Sequence, residues 1–168
     1  TPQDVQDVRK RYGVSKEGSM ILFIGRLTWV KGVRNLVQAM PSILEDFPLT
    51  KLVILGKGEE QKDVIELASR LGVSDKVTCH FEFVPEQVRI TTYAASDVCV
   101  FPSIYEPFGI VSLEAMSMAK PVVVGAQGVV GFKEQVVPSG PDQNGVHVNG
   151  NNPADIAWGI KSVLENPD

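Results

Sequence analysis

Two carboxylates, Glu106 and Glu114, stand eight positions apart in the stretch 101–116. Pro107 holds Glu106 in an extended conformation outside any helix, and a helix is predicted to begin at Gly109. Such a helix start presents free N–H groups and a partial positive charge, which suit a phosphate. At about 1.5 Å per residue the two carboxylates bracket roughly 8–10 Å. That span suits a sugar at one end, a ribose at the other and phosphates between. Either carboxylate taken alone also fits a turn or a solvated helix surface.

Two cations, Arg26 and Lys31, stand in a Gly-Arg-x4-Lys-Gly motif directly after an apolar run. When a sugar leaves a nucleoside diphosphate, negative charge grows on the diphosphate as the bond breaks. Fixed cations and backbone N–H groups aimed at that charge are what the step requires. A lone arginine is more often a surface or ion-pair residue. The motif as a whole favours the functional interpretation.

Short apolar runs that alternate with amphipathic helical segments must position these residues. Strands are predicted at 20–25, 51–55, 76–83, 97–101, 120–124 and 145–148. This alternation is typical of an α/β fold, a Rossmann-like open parallel sheet of about six strands with helices on both faces. Ligands of such sheets bind at the carboxyl ends of the strands, where the loops that carry both motifs begin. Pro41 is predicted to kink or break the helix over 33–47.

The residues at 102–109, Pro-Ser-Ile-Tyr-Glu-Pro-Phe-Gly, and at 113–116, Leu-Glu-Ala-Met, support a family assignment. They resemble the Glu-x7-Glu signature of retaining glycosyltransferases with the GT-B fold, in its glycogen- and starch-synthase-like form. Such enzymes have two Rossmann-like domains with the active site between them. The resemblance covers the second domain, which holds the nucleotide-sugar donor. It implies a lead-in or linker helix in residues 1–18, a nucleotide-sugar-binding domain in 19–168, and an N-terminal GT-B partner domain outside this chain, which therefore reads as a fragment.

The resemblance also implies a role for each site residue. Arg26 and Lys31 would bind the diphosphate, Glu114 the two ribose hydroxyls, and Glu106 would lie beside the transferred sugar. There Glu106 would orient a hydroxyl, stabilise an oxocarbenium-like charge or, less favoured than a front-face route, form a covalent intermediate. The other implied contacts with the substrate come from Gly25, from Gly56 and Val84 near the base, and from the backbone of Phe108, Gly109 and Ile110.

The composition argues against several other classes of function. A net charge of −4 argues against a nucleic-acid partner, and no apolar run approaches the ~20 residues of a membrane span. Cys79 and Cys99 lack metal-ligand spacing and are predicted to be free thiols in a cytoplasmic protein. No metal or cofactor is expected; the substrates would be an ADP- or UDP-linked hexose and a glycan acceptor. Two alternatives stay open: a non-catalytic nucleotide-sugar-binding regulatory module, and a GT-B epimerase or phosphorylase.

Overall fold

The computed structural model describes residues 1–167 as an α/β domain. Six strands form its sheet: β1 (Met20–Ile24), β2 (Lys51–Leu55), β3 (Val77–His80), β4 (Val98–Phe101), β5 (Val122–Gly125) and β6 (Gly145–Val148). Seven α-helices connect and cover them: α1 (Pro2–Arg11), α2 (Val33–Asp46), α3 (Gln61–Arg70), α4 (Glu86–Ala95), α5 (Ile110–Ser117), α6 (Phe132–Gln135) and α7 (Pro153–Glu165). Short 3-10 helices lie at Trp29–Lys31 and Ser74–Lys76.

All strand pairs are parallel, and the strand order is β3-β2-β1-β4-β5-β6. The chain therefore builds the sheet outwards in one direction from β1 to β3, then crosses back and continues from β4. The point where the order reverses lies between β1 and β4, the topological switch point at which such sheets bind ligands. The predicted six-stranded Rossmann-like fold is confirmed.

Two apolar layers, one on each face of the sheet, hold the domain together. The first joins the sheet to α2, α3 and α7. The second joins it to α1, α4, α5 and α6. The central strands β1, β4 and β5 are apolar throughout and almost wholly buried, as expected for parallel strands covered on both faces.

Three local features refine the sequence-based expectations. Helix α2 runs through Pro41 without a break, because Met40 and Ile43, on either side of the proline, are fully buried against the core.

Strand β3 ends at His80 rather than at residue 83, and its side chains are half-buried or exposed, since it lies at the edge of the sheet. Helix α1 packs on α4, and the Arg9 guanidinium donates to the Ala95 carbonyl at 2.9 Å and the Gly18 carbonyl at 2.6 Å.

Candidate functional site

The loops that follow β1 and β4 meet at the switch point. The Ile104 N–H donates to the Val30 carbonyl at 2.8 Å, which ties the second loop to the first. Gly32, at φ +71°, lies so close to the second loop that a Cβ there would stand 2.1 Å from the Pro102 carbonyl oxygen. A glycine is therefore required at this position both for its left-handed conformation and for the close approach.

The loop that carries Arg26 is also fixed on its other side, by the loop after β2. The Leu27 N–H donates to the Lys57 carbonyl at 2.9 Å, and the Glu60 N–H donates to the Leu27 carbonyl at 3.0 Å. Gly56, at φ +147°, packs on this loop, because a Cβ there would lie 1.8 Å from the Gly25 carbonyl oxygen. The backbone on both sides of Arg26 is thus held rigidly, while the Arg26 side chain is exposed to solvent.

Glu106 is held by the loop that follows β5. Its N–H donates to the Val129 carbonyl at 3.0 Å, and its own carbonyl accepts from the Gly131 N–H at 2.6 Å. The Glu106 carboxylate forms an ion pair with the Lys31 ammonium. The two side chains are only 12% and 24% exposed, respectively, so the pair is partly shielded from water and from salt.

These loops enclose a cleft of about 310 Å³. Seven of the residues predicted from the sequence line it: Gly25, Arg26, Lys31, Glu106, Phe108, Gly109 and Ile110. The two cations and the first carboxylate therefore lie in one cleft, beside the amino end of α5. Helix α5 begins after Gly109, and no side chain within residues 1–167 caps it.

Three of the predicted residues lie outside that lining. Gly56 packs on the Gly25 backbone, and Val84 is half-buried against the second apolar layer. Glu114 lies on α5 one turn beyond the helix start and contacts two side chains of α4. The Tyr93 hydroxyl donates to one of its oxygens at 2.9 Å, and an Arg89 nitrogen lies 3.5 Å from the other.

Sequence reasoning missed Tyr93 and Arg89 as site residues. Tyr93 belongs to the apolar repeat of α4 and is only 2% exposed, so its pattern is that of a core residue. Burial, and then the neighbouring Glu114 carboxylate, raise the pKa of the Tyr93 phenol, which keeps it a hydrogen-bond donor. Only the packing of α4 beside α5 shows that its hydroxyl reaches a carboxylate.

A second and larger cavity, about 600 Å³, lies at the other end of the sheet. Lys120, Pro121, Asn144 and Gly145 are among its lining residues, and they precede or begin β5 and β6. Because open parallel sheets bind ligands at the carboxyl ends of their strands, position rather than volume selects the cleft at the switch point.

Within residues 1–167 no three His, Cys, Asp or Glu side chains stand close enough together to hold a metal ion. Among the helices that the structure describes, none combines the length and the apolar character needed to cross a bilayer.

The family model for glycosyl transferases group 1 matches residues 4–168. The chain belongs to this family. An uncharacterized glycosyltransferase of Methanocaldococcus jannaschii is 44% identical over 156 residues, which cover 93% of this chain and 38% of that protein. A D-inositol 3-phosphate glycosyltransferase of Geodermatophilus obscurus is 34% identical, over 98% of this chain and 37% of that protein. A glycogen synthase of Mycobacterium tuberculosis is 33% identical, over 88% of this chain and 34% of that protein.

Solved structures of glycosyltransferases share the fold. Sucrose-phosphate synthase of Thermosynechococcus elongatus superposes with a TM-score of 0.82 at 30% identity, over 96% of this chain and 40% of that one. HepE of Anabaena in complex with UDP-glucose superposes with a TM-score of 0.83 at 25% identity, over 99% of this chain and 44% of that one. This group 1 glycosyltransferase chain thus spans less than half the length of each of these five proteins.

Proposed function

We propose that the chain is the donor-binding half of a retaining glycosyltransferase, which moves a hexose from a nucleoside-diphosphate sugar to a glycan acceptor. One observation carries the proposal: Arg26, Lys31 and Glu106 line a single cleft at the switch point of the sheet. Two cations and a carboxylate in one small cleft match the two charges that glycosyl transfer develops, negative on the diphosphate and positive on the sugar.

The diphosphate binds to Arg26, Lys31 and the amino end of α5. No side chain in the part of the chain that the structure describes caps the helix start, so its backbone N–H groups can donate to phosphate oxygens. The helix dipole favours negative charge at this end. The backbone around Arg26 and Lys31 is held by neighbouring loops, and a fixed donor costs little reorganisation when charge develops. Removal of one such donor is expected to raise the barrier by about 3–4 kcal/mol.

The ion pair between Lys31 and Glu106 supports a front-face route over a covalent intermediate. A carboxylate that neutralises an ammonium group is a weakened nucleophile, yet it still balances positive charge on the sugar ring. In the front-face route the acceptor oxygen bonds to the anomeric carbon on the face from which the diphosphate departs. The sugar–phosphate bond breaks, and the acceptor proton passes to a phosphate oxygen, so the anomeric configuration is retained.

Glu114 binds the ribose of the donor. An ionised carboxylate has two oxygens and about four acceptor positions, and the contacts from α4 occupy one position on each oxygen. The remaining positions suffice for the two ribose hydroxyls. Gly56 and Val84, in the loops after β2 and β3, border the base in this arrangement.

The donor is an ADP- or UDP-linked hexose, and the acceptor is a glucan of the kind that glycogen and starch synthases extend. The similarity to the glycogen synthase supports a glucan as the acceptor. The similarity to HepE, whose structure holds UDP-glucose, supports a nucleotide-linked hexose as the donor. A second candidate acceptor is a phosphorylated polyol, which the likeness to the D-inositol 3-phosphate glycosyltransferase supports. Parallel assays with glycogen and with inositol 3-phosphate separate the two.

An N-terminal GT-B domain completes the active site. Closure of two domains over the donor excludes water and brings the acceptor to the sugar, so the chain alone is expected to bind the donor without transferring the hexose. Transfer by the chain alone at a rate near that of the two-domain polypeptide would contradict this.

The decisive experiment for the reaction is a transfer assay with the two-domain polypeptide. UDP-glucose and ADP-glucose are supplied with glycogen, and proton NMR gives the anomeric configuration of the product. With one of the two donors, the product is expected to retain the anomeric configuration. Arg26→Ala is expected to lose activity. Arg70→Ala, which removes an exposed arginine at the end of α3, is expected to keep the wild-type activity. An inverted product, or equal rates in both variants, would overturn the proposal.

A further inference from the structure

Glu114 lies on α5 beyond the lining of the cleft and is held by two side chains of the neighbouring helix α4. The Tyr93 hydroxyl donates to one carboxylate oxygen at 2.9 Å, and the Arg89 guanidinium lies 3.5 Å from the other oxygen. Each oxygen thus has one partner on the α4 side. A glutamate side chain otherwise samples several rotamers, and each restraint reduces the freedom that must be lost when a ligand binds.

The Tyr93 ring is a rigid support for this contact. It is fully buried in the apolar layer that joins α1, α4 and α5 to the sheet. The Ser96 hydroxyl donates to the Tyr93 carbonyl at 2.8 Å and fixes the end of α4. Because neither the ring nor its backbone can shift freely, the hydroxyl marks a fixed point to which the Glu114 carboxylate is tied.

The Arg89 contact is of another kind. Its side chain is 36% exposed, and its distance of 3.5 Å is that of an ion pair in partial contact with water. Such a pair is weak and is screened by salt. The tyrosine is therefore the stronger of the two restraints.

We infer that Tyr93, assisted by Arg89, positions the Glu114 carboxylate so that it selects donors with intact ribose hydroxyls. The inference rests on the proposed function, in which Glu114 binds the ribose. It adds a residue with no ligand contact of its own, Tyr93, as the determinant of ribose discrimination. Loss of the hydroxyl leaves Glu114 in place but free to turn away from the ribose.

The experiment measures the binding of UDP and ADP, each beside its 2′,3′-dideoxy analogue, to the wild-type chain and to Tyr93→Phe by calorimetry. The wild type is expected to bind one ribonucleotide about tenfold or more tightly than its analogue, the range of a charge-assisted hydrogen bond. In Tyr93→Phe the affinity for the ribonucleotide falls about 5- to 10-fold, and that for the analogue stays within about twofold. A merely structural effect would weaken both ligands alike.

Two further variants complete the design. Arg89→Gln, at a partly exposed position, reduces discrimination by about twofold without a risk to the fold. Tyr12→Phe removes the hydroxyl of a half-buried tyrosine, and that hydroxyl makes no hydrogen bond to another protein group within residues 1–167. This variant is expected to bind both ligands as the wild type does.

The outcomes separate the inference from the proposed function. If the wild type binds neither UDP nor ADP, the proposed function fails and the inference with it. If the wild type discriminates but Tyr93→Phe and Arg89→Gln keep the same ratio between ligands, only the positioning role is overturned. A Tyr93→Phe chain that fails to fold leaves the decision to Arg89→Gln, whose unchanged ratio overturns the inference.

Discussion

The surroundings of Glu106 and of Glu114 differ in how they hold the same type of side chain. Glu106 is fixed through its backbone, which pairs with the loop after β5, and its carboxylate meets a cation from the loop after β1. Glu114 stands within a regular helix, and its carboxylate pairs with two side chains of α4. The first position depends on three converging loops, the second on the packing of two helices.

Under the proposed function, this difference separates two tasks of donor binding, the stabilisation of developing charge and the recognition of the ribose. Close backbone contacts keep the reacting end of the cleft rigid, which suits groups that must face a developing charge without reorganisation. Side-chain contacts from α4 hold Glu114, which lies on α5 outside the lining of the cleft; this suits recognition of hydroxyls that do not react. Perturbation of the loops should therefore affect the chemistry and the fold, whereas loss of the contacts from α4 to the Glu114 carboxylate should affect mainly ligand preference.

The largest effect is expected at the cation that meets Glu106. Lys31→Met removes an ammonium group that is proposed to bind the diphosphate, and it leaves the Glu106 carboxylate without its ion-pair partner. The transfer rate of the two-domain polypeptide should fall about 10²- to 10³-fold. Lys57→Met, at an exposed lysine in the neighbouring loop, should stay within about twofold of the wild-type rate. Equal losses in the two variants would remove the special role of the Lys31 side chain.

A second prediction tests the rigidity of the loops. Gly32→Ala would place a methyl group 2.1 Å from the Pro102 carbonyl oxygen at a φ of +71°. The free energy of unfolding should fall by about 2–4 kcal/mol, the sum of backbone strain and overpacking. Gly72→Ala is the matched control, because Gly72 has a φ of +69° and a Cβ there would have no atom within 4 Å. Backbone strain alone should lower the free energy of unfolding of this variant by about 1–2 kcal/mol. Urea denaturation measures both, and equal losses would mean that the loop contact contributes nothing.

The two carboxylates should respond oppositely to neutralisation when UDP binding is measured. Glu114→Gln should weaken UDP binding about 5- to 20-fold, since a charged acceptor of ribose hydroxyls becomes a neutral one. Glu106→Gln should leave UDP binding unchanged or tighten it up to about threefold, because Lys31 no longer shares its charge with Glu106. Weaker UDP binding in Glu106→Gln than in Glu114→Gln would reverse the proposed assignment of the two ends.

The smallest effect concerns the pH dependence of stability. The pKa of Tyr93 is raised in the folded chain by burial and by Glu114, whereas the unfolded phenol ionises near pH 10. Stability from the protonated phenol is present below about pH 10 and is lost as pH rises above it. Between pH 8 and pH 11 the free energy of unfolding of the wild type should fall by about 1.4 kcal/mol more than that of Tyr93→Phe. If the difference in free energy of unfolding between the two proteins stayed constant from pH 8 to pH 11, the Tyr93 phenol could not be buried and hydrogen-bonded to a carboxylate as described.

The sequence predicted the half of the site that depends on topology. Arg26, Lys31 and Glu106 each follow the end of a parallel strand, and the rule that such ends meet at one edge brings them together. The contacts of Glu114 were beyond sequence reasoning, because α4 and α5 are separate crossovers and nothing in their patterns sets which side chains touch. Packing also overrode local preference at Pro41, since buried residues on both sides carry α2 through the proline.

Calorimetric titration of UDP and ADP into the chain, beside Arg26→Ala and Glu114→Ala, tests most directly whether Arg26 in the cleft and the Glu114 carboxylate on α5 act on one ligand. The account predicts that each substitution weakens binding of the preferred nucleotide by about tenfold or more, the cost of one charge-assisted contact. Affinities unchanged in both variants would mean that the cations after β1 and the carboxylate on α5 do not share a nucleoside diphosphate.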